Sequence, residues 1–323
     1  MPTTTPHTVR AVVFVKPGEI ALRHLALAEM GAQDVEVEVA YSGISTGTER
    51  LLWQGSMPPF PGLSYPLVPG YESVGTVVRR GAQAELEVGD TVFVPGSYSF
   101  KEAANVFGGS AQRLVVAHNR AVRLPPGMGA RGVLLALAAT AYHAMSGGRA
   151  DLPLGVPDLV VGHGVMGRLL ARLSLALGFA PPTVWETQAT RRAGHHGYPV
   201  IDPDEDSRKN YRSIYDVSGD AGLLNTLIAR LQPGGGGEVV LAGFYKDELR
   251  FAYAPAFMRE ARIRIAAQWA PADLAAVTAL VQTGALHLDG LITHTESPDN
   301  AQAAYARAFT DPDCLKMVLD WRT

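Results

Sequence analysis

Cysteine is nearly absent from this chain, since Cys314 is the only one among its 323 residues. A disulfide within the chain and a metal site built from several cysteines are therefore both excluded. An excess of charge of one sign is also lacking, because 28 basic and 31 acidic residues leave a net charge of −3. This balance gives no electrostatic basis for binding nucleic acid or an anionic membrane surface.

Long apolar runs are missing as well. The longest uncharged run with a helical pattern covers residues 132–148 and includes Thr140, His143 and Ser146. It is too short and too polar for a transmembrane helix. Residues 1–10 are rich in threonine and proline and lack the apolar core of a signal peptide. We expect a cytoplasmic protein, and the sequence leaves peripheral attachment to a membrane open.

A glycine-rich turn follows the short apolar run Leu-Val-Val. Gly162, Gly164 and Gly167 form the pattern Gly-x-Gly-x-x-Gly, and an amphipathic helix pattern begins with Val165 and Met166. In a dinucleotide site the first glycine permits the tight turn, and the second lets the pyrophosphate approach the backbone. The third lets helix and strand pack closely, while the helix N-terminus holds the phosphates. The sequence therefore predicts a dinucleotide site rather than an ordinary glycine turn.

An acidic residue ends the strand predicted next. Glu186 lies 19 residues after Gly167, close to the ~20-residue spacing of the carboxylate that binds the ribose in NAD sites. Arg191 and Arg192 follow Glu186 by only a few residues and would favour the 2′-phosphate of NADP. Glu186 would repel that phosphate, so the sequence favours NAD as the cofactor.

Two further cofactor contacts are predicted at strand ends. Ser218 follows the predicted strand 213–217, and Gly243 lies at the end of the predicted strand 238–244. Because ligands bind at the carboxyl ends of parallel strands, we expect both residues near the nucleotide.

Two kinds of secondary-structure pattern divide the chain. Short strands separated by glycine and proline predict a compact barrel-like β domain over residues 1–123. Alternating strands and helices predict a doubly wound parallel sheet over residues 124–265. Residues 266–323 are expected to complete the sheet and return to the first domain. The predicted strands cover residues 9–15, 35–41, 70–78, 89–94, 183–186, 199–202, 213–217, 238–244 and 315–319, and the predicted helices cover residues 132–145, 221–231, 272–282 and 300–309.

Four segments resemble the medium-chain dehydrogenase/reductase family in their order and spacing: residues 41–49, 66–72, 109–112 and 286–294. The resemblance implies an α/β protein with a GroES-like, barrel-type catalytic domain and a Rossmann cofactor domain. It also implies an oxidoreductase, and a homodimer joined through the edges of the cofactor-domain sheets near residues 238–244 and the strand after them.

A narrower resemblance concerns residues 43–55, 58–63 and 65–67, which are similar to family members of bacteriochlorophyll synthesis. It implies a chlorin substrate whose hydroxyethyl side chain is oxidised to acetyl with NAD. A flat macrocycle needs an apolar binding surface, although domain core is the alternative for each aromatic side chain. The candidates for that surface are Trp53, Met57, Phe60, Tyr65, Tyr98 and Phe100.

The zinc ligands of the resembled family are missing at the matching positions. Ser45 or Thr46 stands at the first cysteine, Tyr71 stands at the histidine, and residues 138–140 offer no third ligand. Zinc prefers thiolate, imidazole or carboxylate ligands, so we expect no metal.

Without a metal, a side chain must take the proton of the substrate hydroxyl. Tyr71 is the first candidate for this acid/base role, and Glu72, Thr46 and Ser45 follow. A place for Tyr71 in the pocket wall and a buried structural hydrogen bond for Glu72 remain open. Two other functions also remain open, namely a zinc-free enone or quinone reductase that uses NADPH and a non-catalytic nucleotide-binding partner protein.

Overall fold

A computed structural model describes residues 7–104, 106–148 and 153–323. The strands in these ranges are β1 (Thr8–Lys16), β2 (Glu19–Ala26), β3 (Asp34–Ile44), β4 (Ser73–Arg80), β5 (Thr91–Val94), β6 (Arg113–Ala117), β7 (Val122–Arg123), β8 (Leu159–Val161), β9 (Thr183–Trp185), β10 (Val200–Ile201), β11 (Ser213–Asp216), β12 (Glu238–Leu241), β13 (Arg262–Ile265), β14 (His294–Glu296) and β15 (Met317–Asp320). The α-helices are α1 (Thr48–Gln54), α2 (Leu135–Ser146), α3 (Val165–Ala176), α4 (Ala189–Arg192), α5 (Leu224–Arg230), α6 (Tyr253–Phe257), α7 (Pro271–Gln282) and α8 (Ala301–Thr310).

The chain forms two compact units. The first unit comprises Met1–Ala136 and Leu288–Thr323, and the second comprises Leu137–His287. Each unit has a sheet of its own. None of the helices in the described ranges combines the length and the apolar character needed to cross a membrane.

The first unit is built on a mixed sheet with the strand order β14-β15-β3-β4-β5-β7, in which β6 also pairs with β3. β15 runs antiparallel to β3, with Met317 opposite Ile44. The end of the chain therefore lies beside the strand that leads into Ser45. β1 and β2 form a separate antiparallel hairpin.

The central strand β3 shows where the alternating pattern holds and where it fails. Val35, Val37 and Val39 are buried, as the apolar positions of the pattern predict. Glu36 between them is buried too. Its carboxylate accepts hydrogen bonds from Arg79 at 3.0 Å and from Arg113 at 2.8 Å, because a buried charge must be paired.

The second unit contains a six-stranded sheet in the order β10-β9-β8-β11-β12-β13, and all its strand pairs are parallel. The chain moves outward from β8 in both directions, which confirms the predicted doubly wound sheet. The order reverses between β8 and β11, and the crevice at such a point is where ligands bind.

Strand β12 is shorter than the predicted range 238–244. It ends at Leu241 because the next two amides, those of Ala242 and Gly243, both donate to the carbonyl oxygen of Asp216, at 2.9 and 3.0 Å. These bonds turn the chain across the end of β11. The predicted helix at 132–145 likewise begins differently, since a 3-10 turn over Gly129–Leu134 precedes α2.

Candidate active site

The glycine turn after β8 is built as a dinucleotide site requires. Gly162 has φ +103°, a backbone conformation that side chains disfavour. A Cβ at Gly167 would collide with the carbonyl oxygen of Gly162, so α3 can pack against the turn only with glycine here. Both glycines are therefore required by the backbone itself.

The N-terminus of α3 is open. A Cβ built at Gly164 meets nothing within 4 Å, and no side chain caps the helix there. The first-turn residues Val165 and Met166 follow directly. Free N–H groups and the helix dipole attract phosphate at such an end. The described residues therefore fit a nucleotide pyrophosphate.

The carboxylate of Glu186 stabilises the glycine turn through hydrogen bonds to backbone amides. Its Oε2 atom accepts a hydrogen bond from the His163 amide at 3.1 Å, and its Oε1 atom accepts one from the Gln188 amide at 2.9 Å. The side chain is only 8% exposed. Each carboxylate oxygen has two acceptor positions, so both oxygens can still accept a hydrogen bond from a ribose hydroxyl.

Arg192, the second basic residue after Glu186, holds local backbone in place. Arg192 donates to the carbonyl oxygens of Glu186 and Thr187, at 2.9 and 2.7 Å, and also to Asp202 at 2.9 Å. The carbonyl oxygen of Arg191 accepts from Arg168 at 3.3 Å. Arg192 is thus engaged within the fold rather than directed at a 2′-phosphate.

His163 has a structural role that the sequence does not reveal. Its ring is fully buried and lies 2.8 Å from the Arg191 carbonyl oxygen and 3.0 Å from the Tyr198 hydroxyl. Burial, with the nearby Arg168 charge, lowers the pKa of His163 to about 3. The neutral ring thereby joins the glycine turn to α4.

Ser218 and Gly243 lie together at the ends of β11 and β12. The amide and hydroxyl of Ser218 donate to Asp216 at 2.9 and 2.6 Å. A Cβ at Gly162 would lie 3.4 Å from Ser218, and one at Gly243 would lie 3.4 Å from Val217. The structure therefore gathers these predicted cofactor residues around the strand ends.

In the first unit, a pair of hydroxyl groups joins Ser45 and Tyr71. The Tyr71 hydroxyl donates a hydrogen bond to Ser45 Oγ at 2.5 Å. Burial, with the neighbouring Glu72 charge, raises the pKa of Tyr71 well above its usual value. Tyr71 is therefore a neutral phenol over the whole physiological pH range.

The threonine near this pair is not the expected one. Thr46 lies in the turn before α1 and is exposed, whereas Thr48, at the start of α1, neighbours the Tyr71 hydroxyl. Sequence reasoning did not select Thr48.

Glu72 belongs to a buried ion pair. Its carboxylate contacts the ammonium of Lys316, and both side chains are almost completely inaccessible. Burial raises the pKa of Glu72, and the Lys316 charge opposes that rise. Sequence reasoning missed Lys316, because one lysine before the strand β15 carries no local signal of burial.

Glu49 is a second fully buried carboxyl group, which lies beside Tyr305. Its Oε1 atom accepts a hydrogen bond from the Ser45 amide at 3.3 Å. Burial and the Glu72 charge raise the pKa of Glu49 to about 8, so it carries a proton at neutral pH. Glu49 belongs to the segment 41–49 that resembles the family, but nothing in that segment indicates that its side chain is buried.

The donor set around Ser45 does not fit zinc. Ser45 and Tyr71 supply neutral hydroxyl groups, and the carboxylate of Glu72 is held by Lys316. Over residues 7–104, 106–148 and 153–323, no three His, Cys, Asp or Glu side chains are grouped as metal ligands. Zinc sites use thiolate, imidazole or carboxylate ligands.

A cavity of about 260 Å³ opens in the first unit, and its lining residues are Phe60, Pro61, Gly62, Tyr98 and Val106. The neighbouring Phe107 ring packs on Tyr71, with 5.1 Å between ring centroids. Two of the six aromatic and apolar residues proposed for a substrate surface, Phe60 and Tyr98, therefore line this cavity. Phe100 is core instead, and Trp53 packs on Phe309.

Comparison with known proteins agrees with this architecture. Residues 31–126 match the alcohol dehydrogenase GroES-like domain. A 2-desacetyl-2-hydroxyethyl bacteriochlorophyllide A dehydrogenase of Rhodobacter capsulatus is 53% identical over 314 residues, 97% of this chain and 98% of that protein. The protein of the same name from Cereibacter sphaeroides is 53% identical over 317 residues, with the same coverage of both chains.

Solved structures share the fold. A Sinorhizobium meliloti dehydrogenase bound to NADP superposes with a TM-score of 0.80 at 21% identity, and an Escherichia coli alcohol dehydrogenase with NADH gives 0.81 at 18%. Each comparison covers 97% of this chain and 99% of the other. The chain belongs to the medium-chain dehydrogenase/reductase family of GroES-like alcohol dehydrogenases. It is an alcohol dehydrogenase-type oxidoreductase of a nicotinamide-dependent family.

Proposed function

We propose that the protein oxidises the 3-(1-hydroxyethyl) group of a bacteriochlorophyllide to 3-acetyl, with NAD as hydride acceptor, in bacteriochlorophyll a synthesis. The observation that carries this proposal is the 53% identity, over nearly the whole chain, to two proteins named for a hydroxyethyl bacteriochlorophyllide. The apolar cavity lined by Phe60 and Tyr98 supports it, because a flat macrocycle needs such a surface.

NAD is the proposed cofactor, and it supplies the hydride acceptor when bound. Gly162, Gly164 and Gly167, with the first turn of α3, would hold its pyrophosphate. Glu186 would accept hydrogen bonds from the ribose diol and repel a 2′-phosphate. The engagement of Arg192 within its own loop supports NAD over NADP.

The proposed reaction uses no metal ion. Tyr71 is instead the group that contacts the substrate hydroxyl. Its own proton is donated to Ser45, so its oxygen lone pairs can accept a hydrogen bond from the alcohol. Because the pKa of Tyr71 is raised, the phenolate form is not available as a base. Tyr71 instead relays the proton: its oxygen receives the substrate hydroxyl proton as its phenolic proton passes to Ser45 Oγ, and Ser45 releases its own hydroxyl proton to water.

The decisive experiment supplies the purified protein with 3-(1-hydroxyethyl) bacteriochlorophyllide and either NAD or NADP. We expect the macrocycle absorbance to change with NAD and with chelator present. No spectral change with either cofactor contradicts the proposed reaction, and activity restored only by zinc contradicts its metal independence.

Cofactor choice has its own test. In Glu186→Ala, the KM for NAD should rise about tenfold or more, since a buried acceptor of the ribose hydroxyls is lost. The KM for NADP should change less. An unchanged ratio of the two KM values would show that Glu186 does not select the cofactor.

The two alternatives give different results in the same assay. An NADPH-dependent enone or quinone reductase would consume NADPH with such acceptors and leave the bacteriochlorophyllide unchanged. A non-catalytic partner protein would bind nucleotide without turnover of either substrate.

We also propose a homodimer and a cytoplasmic location. Strand β13 ends the parallel sheet with no further strand paired to it in the described ranges, and Ile265 on it is 75% exposed. An open edge with exposed apolar side chains is a template for pairing with a second chain.

A further inference from the structure

A single buried ammonium group connects two segments of the first unit. Lys316 is 1% exposed. Its Nζ atom donates a hydrogen bond to the Ile44 carbonyl oxygen at 3.1 Å and contacts the Glu72 carboxylate. Ile44 directly precedes Ser45, and Glu72 directly follows Tyr71. The ammonium therefore binds the immediate neighbour of each member of the hydroxyl pair.

The contact between Lys316 and Glu72 has room only because residue 43 is a glycine. A Cβ at Gly43 would collide with the Glu72 carboxylate and lie 3.1 Å from Lys316 Cε. The Gly43 amide also donates to the Glu72 carbonyl oxygen at 2.8 Å. The segments that carry Ser45 and Tyr71 are thus joined twice, once through the backbone and once through Lys316.

We propose that Lys316 is a positioning residue of the hydroxyl pair, because its contacts with Ile44 and Glu72 fix the placement of Ser45 relative to Tyr71. The proposal rests on the proposed dehydrogenase function, in which this pair handles the substrate proton. A donor and an acceptor that exchange a proton must be held within hydrogen-bond distance, and small misplacement costs much of the rate.

A lysine suits this position better than a neutral side chain. The Glu72 carboxylate is fully buried, and over the described residues Lys316 is the cation in contact with it. An uncompensated buried carboxylate is strongly destabilising, whereas removal of both charges together is often tolerated. Stability and positioning can therefore be separated by changing the two residues together.

The test uses the double variant Lys316→Met, Glu72→Gln, which keeps the volume of both side chains and removes both charges. The control is Arg113→Met, which removes one of the ion pairs of the buried Glu36 on β3, away from the Ser45–Tyr71 hydrogen bond. Lys316→Arg, which keeps the charge but changes its geometry, is the second probe if the double variant does not fold.

The first readout is independent of turnover. In protein labelled with 13C at the tyrosine Cζ, the Tyr71 resonance is assigned with Tyr71→Phe. It should shift in the double variant and in Lys316→Arg, and stay in place in Arg113→Met. An unchanged Tyr71 resonance in the folded Lys316 variants overturns the proposal.

The second readout is turnover. For the double variant we expect kcat to fall about 10- to 100-fold while KM changes less than about threefold, because the proton path is misaligned and the binding surface is kept. A folded variant with kcat within about twofold of the wild type overturns the proposal. If the wild type itself does not turn over, the proposed function fails, while the Tyr71 resonance still decides whether Lys316 positions the pair.

Discussion

At the scale of single residues, Tyr71 carries the most specific prediction. Tyr71→Phe removes one oxygen and leaves the ring that packs on Phe107. Loss of a proton-transfer group costs about 10²–10⁴-fold in rate, so kcat should fall by about that factor. Nucleotide affinity, measured by fluorescence titration, should stay unchanged. Full turnover by Tyr71→Phe would remove the residue from the mechanism.

Glu49 gives a prediction on stability. Its pKa is raised from 4.5 to about 8 in the folded protein, by burial and by Glu72. Between these two values the folded chain binds more protons than the unfolded chain, so the free energy of unfolding falls as pH rises. Glu49→Gln should remove that part of the fall, which is of the order of a few kcal/mol.

Thermal or denaturant unfolding from pH 4.5 to pH 8 measures this effect. The matched control is Glu38→Gln, since Glu38 lies on β3 of the same unit with a side chain that is 52% exposed. It should keep the wild-type dependence on pH. Equal slopes for Glu49→Gln and the wild type would mean that Glu49 is ionised in the folded protein at neutral pH.

At the scale of elements, two glycines between β8 and α3 are expected to serve different purposes, one in nucleotide binding and the other in folding. Gly164→Ala places a methyl group in open space where the pyrophosphate is proposed to lie. We expect an unchanged melting temperature and nucleotide affinity reduced about tenfold or more. Gly167→Ala would instead force the helix away from Gly162, so it should lower the melting temperature. Equal effects of the two substitutions on both measurements would contradict this division.

The two elements that could be predicted best from the sequence are β3 and the β8–α3 turn. Their signals are local: alternation of Val35, Val37 and Val39, and glycines whose spacing fixes a backbone path. The cluster of Glu49, Glu72 and Lys316 could not be predicted, because Lys316 reaches Glu72 only through the pairing of β15 with β3. Burial created by distant strands leaves no periodic pattern in the sequence.

At the scale of the whole molecule, the open edge of the parallel sheet predicts assembly. Ile265 on β13 is 75% exposed, and Met258, shortly before this strand, is 71% exposed. Ile265→Lys places a charge on the edge, which opposes strand pairing with a second chain. Light scattering after size exclusion should show a dimer for the wild type and a shift to monomer for this variant. A wild-type monomer at micromolar concentration would contradict the proposed dimer.

The pairing of β15 with β3 also determines when the first unit can be completed during synthesis. Residues 288–323 leave the ribosome after the second unit, yet they supply two strands of this sheet and the ammonium that binds the Ile44 carbonyl oxygen next to Ser45. The second unit, residues 137–287, is continuous and can fold as soon as it emerges. Nucleotide binding should therefore appear on the nascent chain before the hydroxyl pair is assembled, and a chain that stops short of residue 316 would bind nucleotide without becoming an enzyme.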